Sequence, residues 1–118
     1  MMREIRFRAW DRDKKRMLPS WGIFKTYFGD MDIDSYIVMQ YTGLKDKNGK
    51  EICEGDICES HQYEYWQRGI VTWINNSVSF MLIQGNSFIG INDNDGLCNE
   101  DLEVIGNVYE NPELLEGK

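Results

Sequence analysis

Apolar and polar positions along this chain alternate mostly with a period of two, the pattern of strands with one buried face. Ile5, Phe7 and Ala9 alternate with Arg6, Arg8 and Trp10, predicting a first strand with an apolar face and a basic face that ends in an indole. A polar turn over residues 11–15 leads to Arg16-Met17-Leu18, a short returning strand stopped by Pro19. Between Ser20 and Phe28 the spacing changes: Trp21, Phe24 and Phe28 sit three and four apart and predict one or two irregular helical turns. Tyr36 to Thr42 is β-branched and aromatic and reads as a buried strand. Four more strands follow, Asp56 to Gln62, Arg68 to Ile74, Ser77 to Ile83 and Phe88 to Ile91, separated by a polar loop, Asn75-Asn76 and Gly85-Asn86. The last strand runs from Leu102 to Glu110, with Gly106 marking a bulge or a close backbone approach. Asn111-Pro112 has the form of a cap followed by proline at the first helical position, predicting a helical turn over Pro112 to Glu116.

The segment from Gln40 to Cys58, QYTGLKDKNGKEICEGDIC, holds the strongest turn signals. Asn48-Gly49 predicts a type I′ hairpin, since both residues tolerate positive φ, and Gly55 between Glu54 and Asp56 predicts a sharp corner from which a strand departs in a new direction. Regular short strands with such turns indicate an all-β fold. We expect one domain over residues 1–118, with a small SH3-like barrel over residues 43–100. The N- and C-terminal strands would pair with residues 36–42 in an accompanying sheet built from 1–42 and 101–118.

Composition narrows the class. Hydrophobic residues make up 42% of the chain and aromatics 13%, enough to fill a β interior despite a mean hydropathy of -0.53. No stretch approaches the roughly 20 apolar residues of a membrane span, and the N-terminus is an alternating strand rather than a signal peptide, so a cytoplasmic protein without membrane contact is expected. The net charge of -7 conceals a division: residues 1–28 carry eight basic side chains against three acidic, and the remainder five against seventeen. That asymmetry favours the basic segment lying against acidic surface of its own or another copy, because a nucleic acid would be repelled by most of the remaining surface.

Candidate chemistry is sparse. Cys53, Cys58, His61 and Cys98 are a zinc-capable set, but with four, two and thirty-six residues between them they match no compact zinc module; simple packing of free thiols is the expectation, with no metal or cofactor. Asp30, Asp32 and Asp34, and separately Asn92 to Gly96, resemble the start of a calcium loop. Ser35 and Tyr41 break the first pattern, and Ile91 and Leu102 the second. With a single histidine and no Gly-rich phosphate loop, no enzymatic activity is expected. Glu51, Glu54, Asp56 and Glu59 read as solvated acids on an exposed turn. Binding candidates are Arg6, Arg8 and Trp10 on the first strand and Tyr63, Tyr65 and Trp66 in the polar loop, while Trp73, in parity with Val71, is expected to be buried.

Three separated segments in order, MREIRFRAWD, QYTGLKDKNGKEICEGDIC and LEVIGNVYENPELL, resemble the YopX family of proteins encoded by phages and prophages. The resemblance implies a mostly β protein expressed in the bacterial cytoplasm and names a lineage rather than an activity. Cys53 and Cys58 depart from the family pattern, where tyrosine and a β-branched residue are expected. The function expected from these readings is a non-catalytic accessory protein acting through protein contacts with an unknown phage or host protein, and homo-oligomeric. A nucleic-acid-binding module using the basic first strand is the alternative.

Overall fold

A computed structural model of the chain describes residues 6–18, 35–60, 68–74, 79–84, 87–90 and 102–115. Nine strands and one 3-10 turn are found there: β1 Phe7–Asp11, β2 Arg16–Leu18, β3 Tyr36–Lys45, β4 Glu51–Cys53, β5 Asp56–Ser60, β6 Arg68–Ile74, β7 Ser79–Gln84, β8 Ser87–Gly90, β9 Leu102–Asn107 and the turn Pro112–Leu115. The fold is all-β, in two antiparallel sheets, one of them curled into half a barrel. The helical reading of Ser20 to Phe28 and the turns at Asn75-Asn76 and Gly85-Asn86 lie outside the described residues.

The chain divides into two compact units, residues 1–41 and 42–118. In the first, the order β2-β1-β3 follows directly from alternation and a polar turn. Ala9 stands opposite Leu18 on one side and Val38 on the other, and Trp10 opposite Met17 and Ile37. Strand β3 continues into the second unit, where it neighbours β4, and Gly43 takes a φ of 90° there.

Five strands in the order β8-β7-β6-β5-β9 form the second sheet. The C-terminal strand was expected beside residues 36–42; it instead pairs with β5 at the sheet edge, from Asp56 opposite Asn107 to Ser60 opposite Leu102. The reason is local: the register slips between Ile57 and Cys58, so that Ile105 is an extra residue beside Gly106, a bulge that fits β9 to β5. A Cβ on Gly106 would stand 2.6 Å from the Asn111 Oδ1 and 2.9 Å from the Leu114 Cδ1, which accounts for glycine at that bulge.

Ile52, Cys58, Val71, Phe80, Leu82 and Leu102 form the core of this unit, with Leu44 and Val104 packed against it. Each fully buried branched aliphatic here contributes about 1.5–3 kcal/mol relative to exposure. Strand β5 is buried on both faces, since Ile57 and Cys58 are both at 0% exposure. Gly69 lets β6 approach closely: a Cβ there would meet the Ile83 carbonyl oxygen and the Leu82 Cγ, each at 2.8 Å.

Candidate functional site

The Gln40 to Cys58 segment is organised by buried polar side chains that hold its own backbone. At its first bend, the Thr42 hydroxyl donates to the Ile52 carbonyl at 2.9 Å and accepts from the Leu44 amide at 3.1 Å. Asp46 Oδ1 then accepts from the amides of Asn48 at 2.9 Å and Lys50 at 2.8 Å, and its Oδ2 from the amide of Val104 on β9 at 2.8 Å. Burial pushes the Asp46 carboxyl up, but the three amides together with nearby Lys50 outweigh it and leave the group below the ordinary carboxylate range.

The hairpin that Asp46 organises is not the type I′ turn expected from Asn48-Gly49. Gly49 has φ of 84° while Asn48 keeps a negative φ, and the Gly49 amide donates to the Asp46 carbonyl at 3.0 Å as the Asp46 amide donates to that of Lys50 at 2.8 Å. This is a three-residue loop, a turn over Lys47 and Asn48 followed by a left-handed glycine; the amide acceptors on Asp46 favour it over the shorter alternative.

At the second bend the corner appears as expected. Gly55, between Glu54 and Asp56, has φ of 86°, and the chain passes from β4 to β5 in the other sheet. Here Asp56, read from the sequence as a solvated acid, is 2% exposed and its Oδ2 accepts from the Cys53 amide at 2.8 Å. The Gly55 amide donates to Val71 and its carbonyl accepts from Val108, both at 2.9 Å. Carboxylates spent on backbone amides in this way act as structural acceptors.

A polar clasp follows β9. Asn107, 7% exposed, accepts at Oδ1 from the amides of Tyr109 at 3.0 Å and Glu110 at 2.9 Å, and donates through Nδ2 to the Glu110 carboxylate at 2.8 Å. Asn111 opens the 3-10 turn, its carbonyl accepting from the Leu114 amide at 3.1 Å, and its side-chain Oδ1 reaches back to accept from the Asn107 amide at 3.1 Å. Arg68 ties that turn to the sheet, donating from Nη1 to the Leu114 carbonyl and from Nε to Glu59, each at 2.8 Å.

The sequence-predicted binding residues separate. Arg6 lies with its guanidinium carbon 4.8 Å from the Tyr41 ring centroid, a cation–π contact. Arg8 and Trp10 are buried rather than presented at a basic surface, because they share the covered face of the middle strand with Met39. Tyr63, Tyr65 and Trp66 lie outside the described residues, as do His61 and Cys98. Cys53 and Cys58 are free thiols at 0% exposure, and burial, reinforced by Asp56 and Asp46, raises Cys58 far above an ordinary thiol. Among the described residues no group of three or more histidine, cysteine or acidic side chains could hold a metal ion. No helix among them is long and apolar enough to cross a membrane.

On the opposite face of β2-β1-β3, Phe7 and Val38 are exposed while Ala9 and Asp11 of the middle strand are buried. Register places Phe7 beside Gln40, then Leu18, Ala9 and Val38 in one row, then Arg16, Asp11 and Tyr36. Phe7 is 41% and Val38 39% exposed, diagonal neighbours on this face. Sequence parity grouped Phe7 with Ala9 correctly but gave no sign that Phe7 would be exposed and Ala9 buried. Beyond the row lies the turn 12–15, where Arg12, Lys14, Lys15 and the adjoining Arg16 are exposed. Buried Asp11 fixes that turn, its Oδ1 accepting from the amides of Asp13 at 3.0 Å and Lys14 at 3.1 Å and its carbonyl from Lys15, a lysine at φ of 56°. Trp73 also departs from expectation at 37% exposure: near the end of β6 it lies edge-on to Phe80, a residue of the core edge, at 5.0 Å, and its outer side is left to solvent.

Comparison with known proteins gives a lineage. The family described as YopX protein matches residues 22–116. The crystal structure of protein EF1440 from Enterococcus faecalis is similar with a TM-score of 0.55 and 26% sequence identity, over 98% of this chain and 100% of that one. No curated protein matches.

Proposed function

The chain belongs to the YopX protein family, and on that premise we propose that it is a non-catalytic phage or prophage accessory protein, working in the bacterial cytoplasm through protein contacts and associating with copies of itself. The observation that carries this reading is the pair Phe7 and Val38, diagonal neighbours on β1 and β3 that stand exposed beside a basic turn. Exposed aromatic and branched side chains on a flat strand surface are what a protein partner buries. Asp46 and Asp56, the two aspartates of the family-like central motif, support the same reading, since each is engaged with backbone amides. We read the curled sheet as the SH3-like barrel expected from the sequence, a scaffold that presents such a surface.

Affinity capture from phage-infected or prophage-induced bacteria, after nuclease treatment, tests the proposal. Recovery of a stoichiometric protein partner or of a second copy by the wild type, and its loss with Phe7→Asp or Val38→Asp, is the expected result. Capture that those variants leave unchanged overturns it. The exposed cations of turn 12–15 favour one second reading, nucleic-acid binding. It requires a salt-dependent mobility shift with duplex or single-stranded DNA that Arg12→Glu with Lys14→Glu abolishes.

A further inference from the structure

The first unit offers an exposed apolar pair with a cationic end, and the second carries a surface of the opposite kind. Phe7 and Val38 are exposed on the same face as Arg16, whose Nε lies 3.9 Å from the Asp11 carboxylate, and the turn that precedes Arg16 adds Arg12, Lys14 and Lys15 against Asp13. This end is held in shape by three hydrogen bonds to Asp11, with Lys15 in the left-handed region.

In the second unit, Leu115 is 43% exposed at the end of the 3-10 turn Pro112–Leu115, with exposed Glu113 within the turn and exposed Glu110 before it. This acidic knob is also held rigid. Asn107 fixes Glu110, Asn111 opens the turn, and Arg68, its charge met by Glu59, grips the Leu114 carbonyl. An exposed leucine flanked by two carboxylates therefore matches an exposed Phe-Val pair flanked by cations, in both hydrophobicity and charge.

We propose that the Leu115 knob of one copy docks on the Phe7–Val38 face of the next, with Glu110 and Glu113 facing the cations of residues 12–16. This rests on the protein-contact reading above and names the partner as a second copy of this chain. The contact therefore pairs unlike patches of neighbouring copies, each copy supplying a knob and a face. Preorganised patches lower the ordering cost of association, while charge complementarity sets the register and makes it sensitive to salt.

The experiment measures solution mass by light scattering across concentration and salt. The wild type is expected to exceed the monomer mass and to fall toward it as salt rises. Val38→Asp removes the face and Leu115→Asp removes the knob, and each alone is expected to be monomeric, with association weakened at least tenfold. Each variant retains one intact patch, so a mixture of the two is expected to give a one-to-one dimer and nothing larger. Lys14→Glu weakens assembly, and Glu113→Lys in the same chain restores it. Val38→Ser and Leu115→Ser replace the aspartates if near-ultraviolet circular dichroism shows either variant unfolded. A wild type that stays monomeric at every concentration overturns the inference, as does assembly indifferent to both substitutions or a mixture that remains monomeric. A monomer that still captures a bacterial or phage protein in the preceding experiment sinks this inference alone and leaves the protein-contact reading standing.

Discussion

The carboxylate of Asp46 accepts a hydrogen bond at 2.8 Å from the backbone amide of Val104, 58 positions later in the chain. One loop residue thereby joins the turn after β3 to the outer edge of β9, an attachment repeated by the Lys47 amide on the Leu102 carbonyl at 2.9 Å. The family-like central and closing segments are parts of one hydrogen-bonded assembly.

Removing that carboxylate leaves three amides without their acceptor. Asp46→Ala is expected to destabilise the protein by about 1–3 kcal/mol, because two of the amides lie where water can partly replace the lost oxygen. Asp46→Asn, which keeps one carbonyl oxygen, falls at the low end. Urea midpoints at constant slope measure both; midpoints equal to the wild type contradict the role assigned to Asp46.

Asp46 also gives a pH dependence of definite sign. Its folded carboxyl titrates below its unfolded value, so its contribution is fully present above the ordinary carboxylate value of about 4 and declines as pH falls through the folded value. The stability difference between wild type and Asp46→Asn should therefore be level from pH 5 to 8 and shrink in more acid solution. A difference that grows on acidification contradicts the assignment.

Cys58 behaves in the opposite sense. Its thiol is held up by burial, so the folded chain keeps the proton after the unfolded chain has begun to lose it near pH 8.5–9, and stability falls as pH rises beyond that range. In a Cys98→Ser background, Cys53 and Cys58 are expected to resist a thiol-disulfide reagent at pH 8 and to react in full in denaturant. Rapid native labelling contradicts their burial.

Close backbone approach ranks the glycines. Gly69→Ala must displace a strand backbone, since the added carbon meets the Ile83 carbonyl oxygen at 2.8 Å, and is expected to cost about 2–3 kcal/mol. Gly49→Ala meets nothing within 4 Å and pays only for positive φ, about 1 kcal/mol. Thermal unfolding of the two variants gives the order, and a reversed order removes the explanation for Gly69.

Most of the strands were legible because alternation, turn residues and β-branched runs are written locally. Arg16–Leu18 and Arg68–Ile74 carry the bounds read from the sequence, and the Gly55 corner and the start of the 3-10 turn at Asn111-Pro112 follow from single-residue chemistry. Partner choice was not legible. The C-terminal strand reaches β5 through a bulge and a remote aspartate, and neither leaves a periodic trace. Parity separates the two sides of a strand without saying which is wet, so Phe7 and Trp73 are exposed where the pattern suggested cover, and Arg8, Trp10 and Asp56 are buried where it suggested water. Asp46 stood within the quoted motif, yet its spacing to Val104 carries no signal that a single sequence can reveal.

The placement of β5 between β6 and β9 has a consequence for synthesis. On the ribosome, residues 56–60 can zip to residues 68–70 early, but their other edge waits until residue 107 has left the exit tunnel. During that interval the nascent chain shows an unsatisfied, apolar strand border, so chaperone dependence and misassembly should concentrate there rather than at the N-terminal strands.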